Sequence, residues 1–430
     1  MEKIVSIILA AGESKRIKSA KSKIFHKIAD QSLISYVYAT ARNISSKNVI
    51  IVCNKKNINQ ISKKFVQAKT VLQNNLNGTA GAVLCTKKIL PKNKDVLILF
   101  GDTPLIQSRS IRRLIKTYNT SQSVGCLLIF KAKNPFGYGR VEIKDNIIIK
   151  ITEEFQANRD IKKINLCNSG ILICKQNFLF NNLKKITNKN IKKEKFITDI
   201  FEIAYKSNKP FRFSICNEKE LNGINTREDL INMDLSVQNE IKQKLIKKGV
   251  TILQPETVRV SYDTKIAKDC TIEPFVVIKK GVTIRNNVTI KSHSVIENCI
   301  IGNDSIIGPS ARIRPFSKIG NKVKIGNFVE IKNSTIKDST SISHLSYIGD
   351  SNIGKNVNIG AGTITCNYDG KKKNKTIIKD NVFVGSNSSL IAPLTIGSNS
   401  TIGAGSVITK NVPPNSLAIE RSVQKNFIKK

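Results

Sequence analysis

Tryptophan is absent from this chain, and aromatic residues make up only 6% of it. So few rings leave little stacking surface for nucleic-acid bases. Nine cysteines are scattered (Cys53, Cys85, Cys126, Cys167, Cys174, Cys216, Cys270, Cys299, Cys366), none in a Cys-x-x-Cys pair. The odd count and the spacing exclude a disulfide frame or a zinc site and point to free thiols in a reducing compartment. Long apolar runs are missing too. The N-terminal one, Ile4–Ala11, is short and carries no cleavage signature, so neither a membrane span nor a leader is expected. The reading is a soluble, cytoplasmic protein with no membrane partner. Acidic residues are few: 31 Asp+Glu against 71 Lys+Arg, a formal net charge of +40. Such a value raises a nucleic-acid partner. The excess, however, is mostly lysine, lies along the whole chain, and accompanies heavy use of asparagine and isoleucine even in loops. That reads as compositional drift, with no nucleic-acid partner expected, although the charge suits anionic substrates.

What is present falls into two halves. A chain of 430 residues has room for two or three domains. Up to residue 226, the runs KIVSIILA, NVIIVC, DVLILFGD and VGCLLIF read as buried strands, with helical patterns between the first three. Strands apolar on both faces and separated by helices predict a mostly parallel, Rossmann-like α/β sheet. Ligands on such sheets sit at strand carboxyl ends, where Leu9–Gly12 and Phe100–Asp102 fall. Residues 227–248 are polar, lack Gly and Pro, and space Leu and Ile as a connecting helix does. From residue 249 to residue 430 an aliphatic residue recurs every six positions: Val260, Ile266, Ile272, Ile278, Ile284, Ile290, Ile296. After a five-residue step it resumes at Ile301, and it continues with short resets to Ile408. The period predicts a left-handed parallel β-helix of hexapeptide repeats, three hexads to a coil, with each aliphatic pointing inward. Asn367–Lys375 interrupts the count and should leave the coil as a loop.

Several residues could carry chemistry. In LAAGESKR, N–H groups after a strand, with Arg16 and Lys23 as candidate cations, can hold a phosphate. A plain one-glycine turn would look the same in isolation. LFGDTPL places Asp102 where a carboxylate can hold Mg²⁺ against nucleotide phosphates, although a capping aspartate is an equal reading of that motif alone. QNNLNGTAGA offers Gln73 to read a base edge and Gly78-Thr79 for close approach. GYGR, ITEE and NSGI add Gly139, Glu153 and Asn168. In the second half His344, one of three histidines, stands two residues past Ile342, so its side chain should leave the core. An exposed histidine need do nothing, and Arg314 and Lys332 could be solvated surface charge. Together with Tyr347, however, they could accommodate a small phosphorylated, hydroxylated molecule.

The first-half motifs resemble those of nucleoside-diphosphate-sugar pyrophosphorylases. The order LAAG, GDTPL, GYGR, then a hexapeptide β-helix containing NVNIGAGTITCNYDG (Asn356–Gly370), is similar to the bifunctional N-acetylglucosamine-1-phosphate uridylyltransferase / glucosamine-1-phosphate acetyltransferase family over nearly the whole chain. The resemblance implies that Leu9, Ala10, Ala11, Gly12, Arg16, Gln73, Gly78 and Thr79 contact the uridine and phosphates of UTP. Lys23 faces phosphate, while Phe100, Gly101, Gly139, Glu153 and Asn168 surround the sugar. Asp102 and Asn225 hold Mg²⁺. It implies that His344 is the general base for the glucosamine amine, a role that suits imidazole. Arg314 and Lys332 hold the sugar phosphate, and Tyr347 and Asn358 contact the sugar. Ala361, Asn367, Tyr368, Ser386, Ala404 and Arg421 line the acetyl-CoA site. A homotrimer with sites between coils, and a product used for peptidoglycan and lipid A, are implied as well. The chain departs from the family pattern at Ser14 and Lys15, which replace a glycine and a threonine, and at Ser22, which replaces a proline. Few residues follow Arg421, so contacts from a longer tail are not expected. Two other readings are open at this point: an acetyltransferase with a decayed nucleotidyl site, and a basic, anion-binding β-helix scaffold.

Overall fold

The computed structural model describes residues 3–12, 15–75, 78–187 and 195–428; Ser14 and the side chain of Lys15 lie outside it. Two compact units emerge, one up to Met233 and one from Asp234 on. The division falls inside a helix, Arg227–Ile246.

The first unit is built on a mixed sheet. Lys69–Leu72, Val49–Cys53, Ile4–Leu9 and Asp95–Phe100 are neighbours in that order, all parallel. Leu166–Cys174 comes next, antiparallel both to Asp95–Phe100 and to Gly125–Lys131, and Phe211–Cys216 ends the sheet parallel to Gly125–Lys131. Every residue of Ile4–Leu9 and Val49–Cys53 is buried, because both faces are covered. Ile8, Ile51, Leu97 and Leu99 pack on one face against Ile34, Val37, Ile111 and Leu114 of the helices Leu33–Ser45 and Ser108–Thr120. Ile7, Ile50, Val96 and Ile98 pack on the other against Leu179, Ile200 and Phe201 of the helices Gln176–Leu183 and Asp199–Lys206. The four expected strands are present. The antiparallel strand Leu166–Cys174 was not among the expected runs; polar Asn168 and Ser169 interrupt its apolar pattern. A hairpin, Arg140–Lys144 with Ile147–Thr152, hangs from Leu166–Cys174 through the pair Arg140–Cys167. Its turn, Asp145–Asn146, has φ of 52° and 58°, the I′ geometry that matches strand twist.

The second unit is a left-handed parallel β-helix. Strands of two to four residues stack into three parallel sheets, every third strand joining the same sheet. Thr271–Ile272 pairs with Thr289–Ile290, three hexads on. Across the insertion, Asn358–Ile359 pairs with Phe383–Val384, so the added residues leave as a loop, pinned by a Tyr368–Lys373 bridge. The repeat aliphatics form one buried column, none more than 7% exposed. Three residues before each, the backbone turns the corner. Asp269, Asn287, Asp304, Asn356, Asn381 and Asn399 stand there with φ between 52° and 60°, a region Asn and Asp tolerate better than other side chains. Part of the asparagine excess therefore has a structural use. One corner also carries a side-chain ladder. Asn356 donates to Asn381 at 3.2 Å, Asn381 to Asn399 at 3.0 Å, and Asn399 to Asn415 at 3.0 Å.

From Asp234 on, the helix expected as a connector is also a lid. Leu245 joins the aliphatic column. The Gln238 carboxamide donates to the Val260 carbonyl at 2.8 Å and accepts its N–H at 2.9 Å. The Lys242 ammonium, 4% exposed, donates to the carbonyls of Pro255 and Val258. Polar groups at the open end of the first coil, which has no coil below it, are thereby satisfied.

The corner chemistry yields a ranking. Asn381→Gly keeps the left-handed turn and loses the ladder, whereas Asn381→Ala loses both. Denaturant melts should place the alanine variant below the glycine variant by about 1 kcal/mol, the reverse of the order in a helix interior.

Candidate functional site

Ile4–Leu9 and Asp95–Phe100 are parallel neighbours with Leu9 opposite Phe100, so their carboxyl ends open at one edge. Ala10 and Ala11 are buried and Gly12 is exposed. The Gly101 N–H bonds the Leu9 carbonyl at 2.9 Å, and a Cβ on Gly101 would lie 3.2 Å from that oxygen. The carboxamides of Asn57 and Asn54 donate to the carbonyls of Ala10 and Ala11 at 2.8 and 2.9 Å. Those two asparagines set the course of the loop, and only their place just after the strand Val49–Cys53 hinted at it.

Charges converge beside this edge. The Lys23 ammonium, 9% exposed as a residue, lies 2.6 Å from Asp102 Oδ2 and donates to Asn225 Oδ1 at 3.2 Å. Arg16 Nη2 donates to the same Asn225 oxygen at 3.0 Å. Asn225 is held in turn by Asp229, whose Oδ2 accepts the N–H groups of Asn225 and Thr226, each at 2.8 Å. Burial pushes the Asp229 carboxyl up, but those two bonds, the Thr226 hydroxyl and the nearby Lys23 outweigh it and hold it below its ordinary value. Behind Lys23, burial and the charges of Arg227 and Lys21 lower His26 and favour the neutral ring.

Other expected residues flank this centre. Gln73 is 4% exposed, and its Nε2 donates to the carbonyls of Asn75 and Gly78 at 3.1 and 3.3 Å. Its amide nitrogen therefore shapes the loop. Gly78 has φ of 95°, and a Cβ there would lie 2.5 Å from the Lys195 carbonyl oxygen. Thr79 accepts the Ile197 N–H at 3.0 Å. Gly139, Glu153 and Asn168 come together. The Asn168 N–H bonds the Gly139 carbonyl at 2.9 Å, and a Cβ on Gly139 would lie 3.5 Å from Glu153 Oε2. Thr198 donates to Glu153 Oε1 at 3.2 Å. The buried Arg140 pairs with Glu154 at 2.6 Å and bonds the Tyr138 carbonyl, which fixes the GYGR turn.

In the second unit the repeat itself assembles the residues. Ile325, Ile342, Ile359, Val384 and Ile402 are paired in successive coils of one sheet. Two residues past each stand Asn327, His344, Ala361, Ser386 and Ala404, which therefore form a column along one corner. His344 is exposed, and its Nδ1 meets Asn327 Oδ1 at 2.8 Å. An amide oxygen can only accept, so this contact suits the tautomer protonated at Nδ1. Arg421 Nη1 donates to the Ala404 carbonyl at 3.0 Å and closes the column. On the next sheet Arg314 bonds Glu330 at 2.7 Å, and Lys332 lies 3.3 Å from Asp350 Oδ2. Half-buried Tyr347 stands on the strand paired with that of Lys332, and exposed Asn358 on the strand paired with that of His344. Tyr368 donates to the Gly370 carbonyl at 2.7 Å within the inserted loop. Asp369 organises that loop: the N–H groups of Lys372 and Lys371, with the Asn374 amide, pull its carboxyl down to about 2. Sequence reasoning missed Lys373, whose amine meets that of Lys332 and is lowered by it. It also missed Asn327 and Asp350. Asn327 could have been found by reading down the hexad column from His344.

An α/β edge with converging cations and a carboxylate, in one chain with a hexapeptide coil bearing an exposed histidine, fits a two-headed transferase of nucleotidyl and acyl groups. Family models agree in both halves. Residues 6–145 match the MobA-like NTP transferase domain, residues 263–298 and 375–410 the bacterial transferase hexapeptide, and residues 295–387 the GMPPB C-terminal domain. The bifunctional protein GlmU of Thermosipho melanesiensis is 40% identical over 98% of this chain and 96% of that protein. Those of Bartonella bacilliformis and Thermotoga maritima are 41% and 38% identical over 98% and 97% of this chain and 94% and 96% of those proteins. The chain belongs to the bifunctional GlmU family. A solved putative glucose-1-phosphate thymidylyltransferase from Bacillus anthracis, 17% identical, covers 54% of this chain and 94% of its own, with a TM-score of 0.45.

Proposed function

We propose that the chain makes UDP-N-acetylglucosamine in two steps at the two sites just described. The observation that carries this is the joint assembly of Arg16, Lys23, Asp102 and Asn225 in one unit and of His344, Asn327, Arg314 and Lys332 in the other. In the β-helix the amine of glucosamine 1-phosphate attacks the acetyl-CoA thioester. His344 Nε2 takes the amine proton, and the CoA thiolate leaves. Arg314 and Lys332 hold the sugar phosphate, Tyr347 and Asn358 the sugar. Ala361, Asn367, Tyr368, Ser386, Ala404 and Arg421 receive acetyl-CoA. In the α/β unit the phosphate of the acetylated sugar attacks the α-phosphorus of UTP, and pyrophosphate leaves. Such transfer needs positioning and charge neutralisation, which Leu9–Gly12, Arg16, Lys23, Gln73, Gly78 and Thr79 supply around the nucleotide. Phe100, Gly101, Gly139, Glu153 and Asn168 receive the sugar. The convergence of the first-unit charges supports a working nucleotidyl site over a decayed one, despite the departures at Ser14 and Lys15.

Mg²⁺ fits the pair Asp102 and Asn225. Both ligand atoms are hard oxygens, and they already share one cation, the Lys23 ammonium. Among the described residues no group of three or more His, Cys, Asp or Glu could hold a metal. That suits an ion that takes one or two protein oxygens and completes its shell with substrate phosphates. When bound, the ion supplies positive charge to the phosphate oxygens.

A homotrimer is part of the proposal. Phe328 and Leu345, 63% exposed each, stand at the corner beside Asn327 and His344. Apolar side chains left in water next to a half-open site support a second coil packing there. Nine free thiols and the absence, among the described residues, of any helix long and apolar enough to cross a membrane agree with a cytoplasmic site of action. Residues 1–226, 227–248 and 249–430 remain the proposed functional division. Peptidoglycan and lipid A synthesis are the proposed uses of the product.

His344→Ala should cut acetyl transfer by about a hundredfold or more and spare UDP-sugar formation from the acetylated sugar phosphate. Asp102→Ala should do the reverse. Separate assays of the two half-reactions decide, and loss of both activities in either variant would count against the assignment. Lys23→Met uncovers the Asp102 carboxylate. Mn²⁺ titrated into the nucleotide-free variant and followed by electron paramagnetic resonance should bind about tenfold tighter than in the parent, even as UDP-sugar formation falls.

A further inference from the structure

Asp350 occupies a coil corner at φ 49° and is only 7% exposed. A buried carboxylate is costly unless its oxygens are well partnered. Its three partners come from two places in the chain, the adjacent Lys332 and Asn333 and the more distant Asn367. Oδ1 accepts from Asn333 Nδ2 at 2.6 Å. Oδ2 accepts from Lys332 Nζ at 3.3 Å and also from Asn367 Nδ2. Burial raises this carboxyl, but the bonds from Asn333, Asn367 and Lys332, together with the charge of Lys332, bring it below its ordinary value. Lys332 belongs to the phosphate end of the proposed acetyl-transfer site, whereas Asn367 opens the inserted loop on the acetyl-CoA side. The far end of that loop brings Lys373 against Lys332. There the Lys332 ammonium and the Arg314 guanidinium disfavour the charge on Lys373 while Asp350 favours it. One carboxylate thus ties a cation on the coil to the first residue of the loop, and it lies among three cations that repel one another.

We propose that Asp350 is a positioning residue that couples the phosphate subsite to the acetyl-CoA loop, holding Lys332 and Asn367 in one frame and offsetting the repulsion among Arg314, Lys332 and Lys373. It acts through Lys332 and Asn367, not on either substrate. The inference rests on the acetyl-transfer reading given above. Its consequence is cross-talk, because disturbing either partner should be felt at the other subsite.

The test is steady-state acetyl transfer by the full chain, with each substrate varied in turn. Asp350→Asn preserves size but turns an amide group toward donors. It should raise KM for both glucosamine 1-phosphate and acetyl-CoA by about tenfold, as the loss of a charge-assisted bond implies, with a smaller fall in kcat. Lys332→Met should then cost less in the Asp350→Asn background than in the parent, the signature of a shared interaction. Unchanged KM values in Asp350→Asn, or effects that simply add to those of Lys332→Met, overturn the proposal. Should Asp350→Asn fail to fold, Asn367→Ala and Lys332→Met carry the test. Asn367→Ala should raise KM for the sugar phosphate, and Lys332→Met should raise KM for acetyl-CoA. Confinement of each effect to its own substrate overturns the coupling. Normal acetyl transfer in both Lys332→Met and His344→Ala would instead remove the acetyl-transfer reading itself, whereas loss in those two beside normal kinetics in Asp350→Asn removes only the coupling.

Discussion

The inward aliphatic at every sixth residue is the constraint on which the second unit depends. A two-residue strand is too short to hold itself together. It persists because its Ile or Val lies in a buried column and its neighbours above and below are strands of the same kind. The column fixes more than stability. Since successive coils are in register, any offset from the repeat residue defines a line running along the coil. Position two past the aliphatic is such a line, and it carries Asn327, His344, Ala361, Ser386 and Ala404. A histidine and its orienting asparagine are brought together by arithmetic in the chain, with no special turn built for them.

The first unit solves placement differently. Leu9 opposite Phe100 brings two strand ends to one edge, and the side chains that matter then arrive from far along the chain. Lys23 and Asn225, two hundred and two residues apart, meet over Asp102. Their meeting is electrostatic. A lysine ammonium shared by a carboxylate and an amide oxygen neutralises a cluster that would otherwise be held open in a partly dry site. Asp229 keeps Asn225 in place by accepting two backbone N–H groups, as helix-entry carboxylates commonly do.

How much of this was legible in the sequence follows the range of the physics involved. The hexad period is local and repeated, so the β-helix, its core residues and the loop Asn367–Lys375 could be read directly. The strands Ile4–Leu9, Val49–Cys53, Asp95–Phe100 and Gly125–Lys131 were visible as apolar runs. Leu166–Cys174 was not, because half-buried Asn168, Ser169 and Gly170 break its apolar run. Lys23, Asp102 and Asn225 meet, yet the supporting residues of both units went unseen. Asn54 and Asn57, Asp229, Asn327 and Asp350 are ordinary polar residues in a chain crowded with asparagine, and their work lies in hydrogen bonds to groups distant in sequence. The heavy asparagine content, read at first as drift alone, proved partly structural at the corners of the coil.

The helix Arg227–Ile246 has a consequence for behaviour in a crowded solution. A stack of parallel strands ends in a row of unpaired N–H and C=O groups, and such a row invites another chain to continue it. In the first coil that invitation is withdrawn at Val260, whose two backbone groups are both taken by Gln238, and at Pro255 and Val258, whose carbonyls are taken by Lys242. The segment that joins two activities is therefore also what keeps one molecule from being extended, end to end, by the next. Its few buried polar atoms guard against fibre growth in a fold whose strands would otherwise accept any partner of matching pitch.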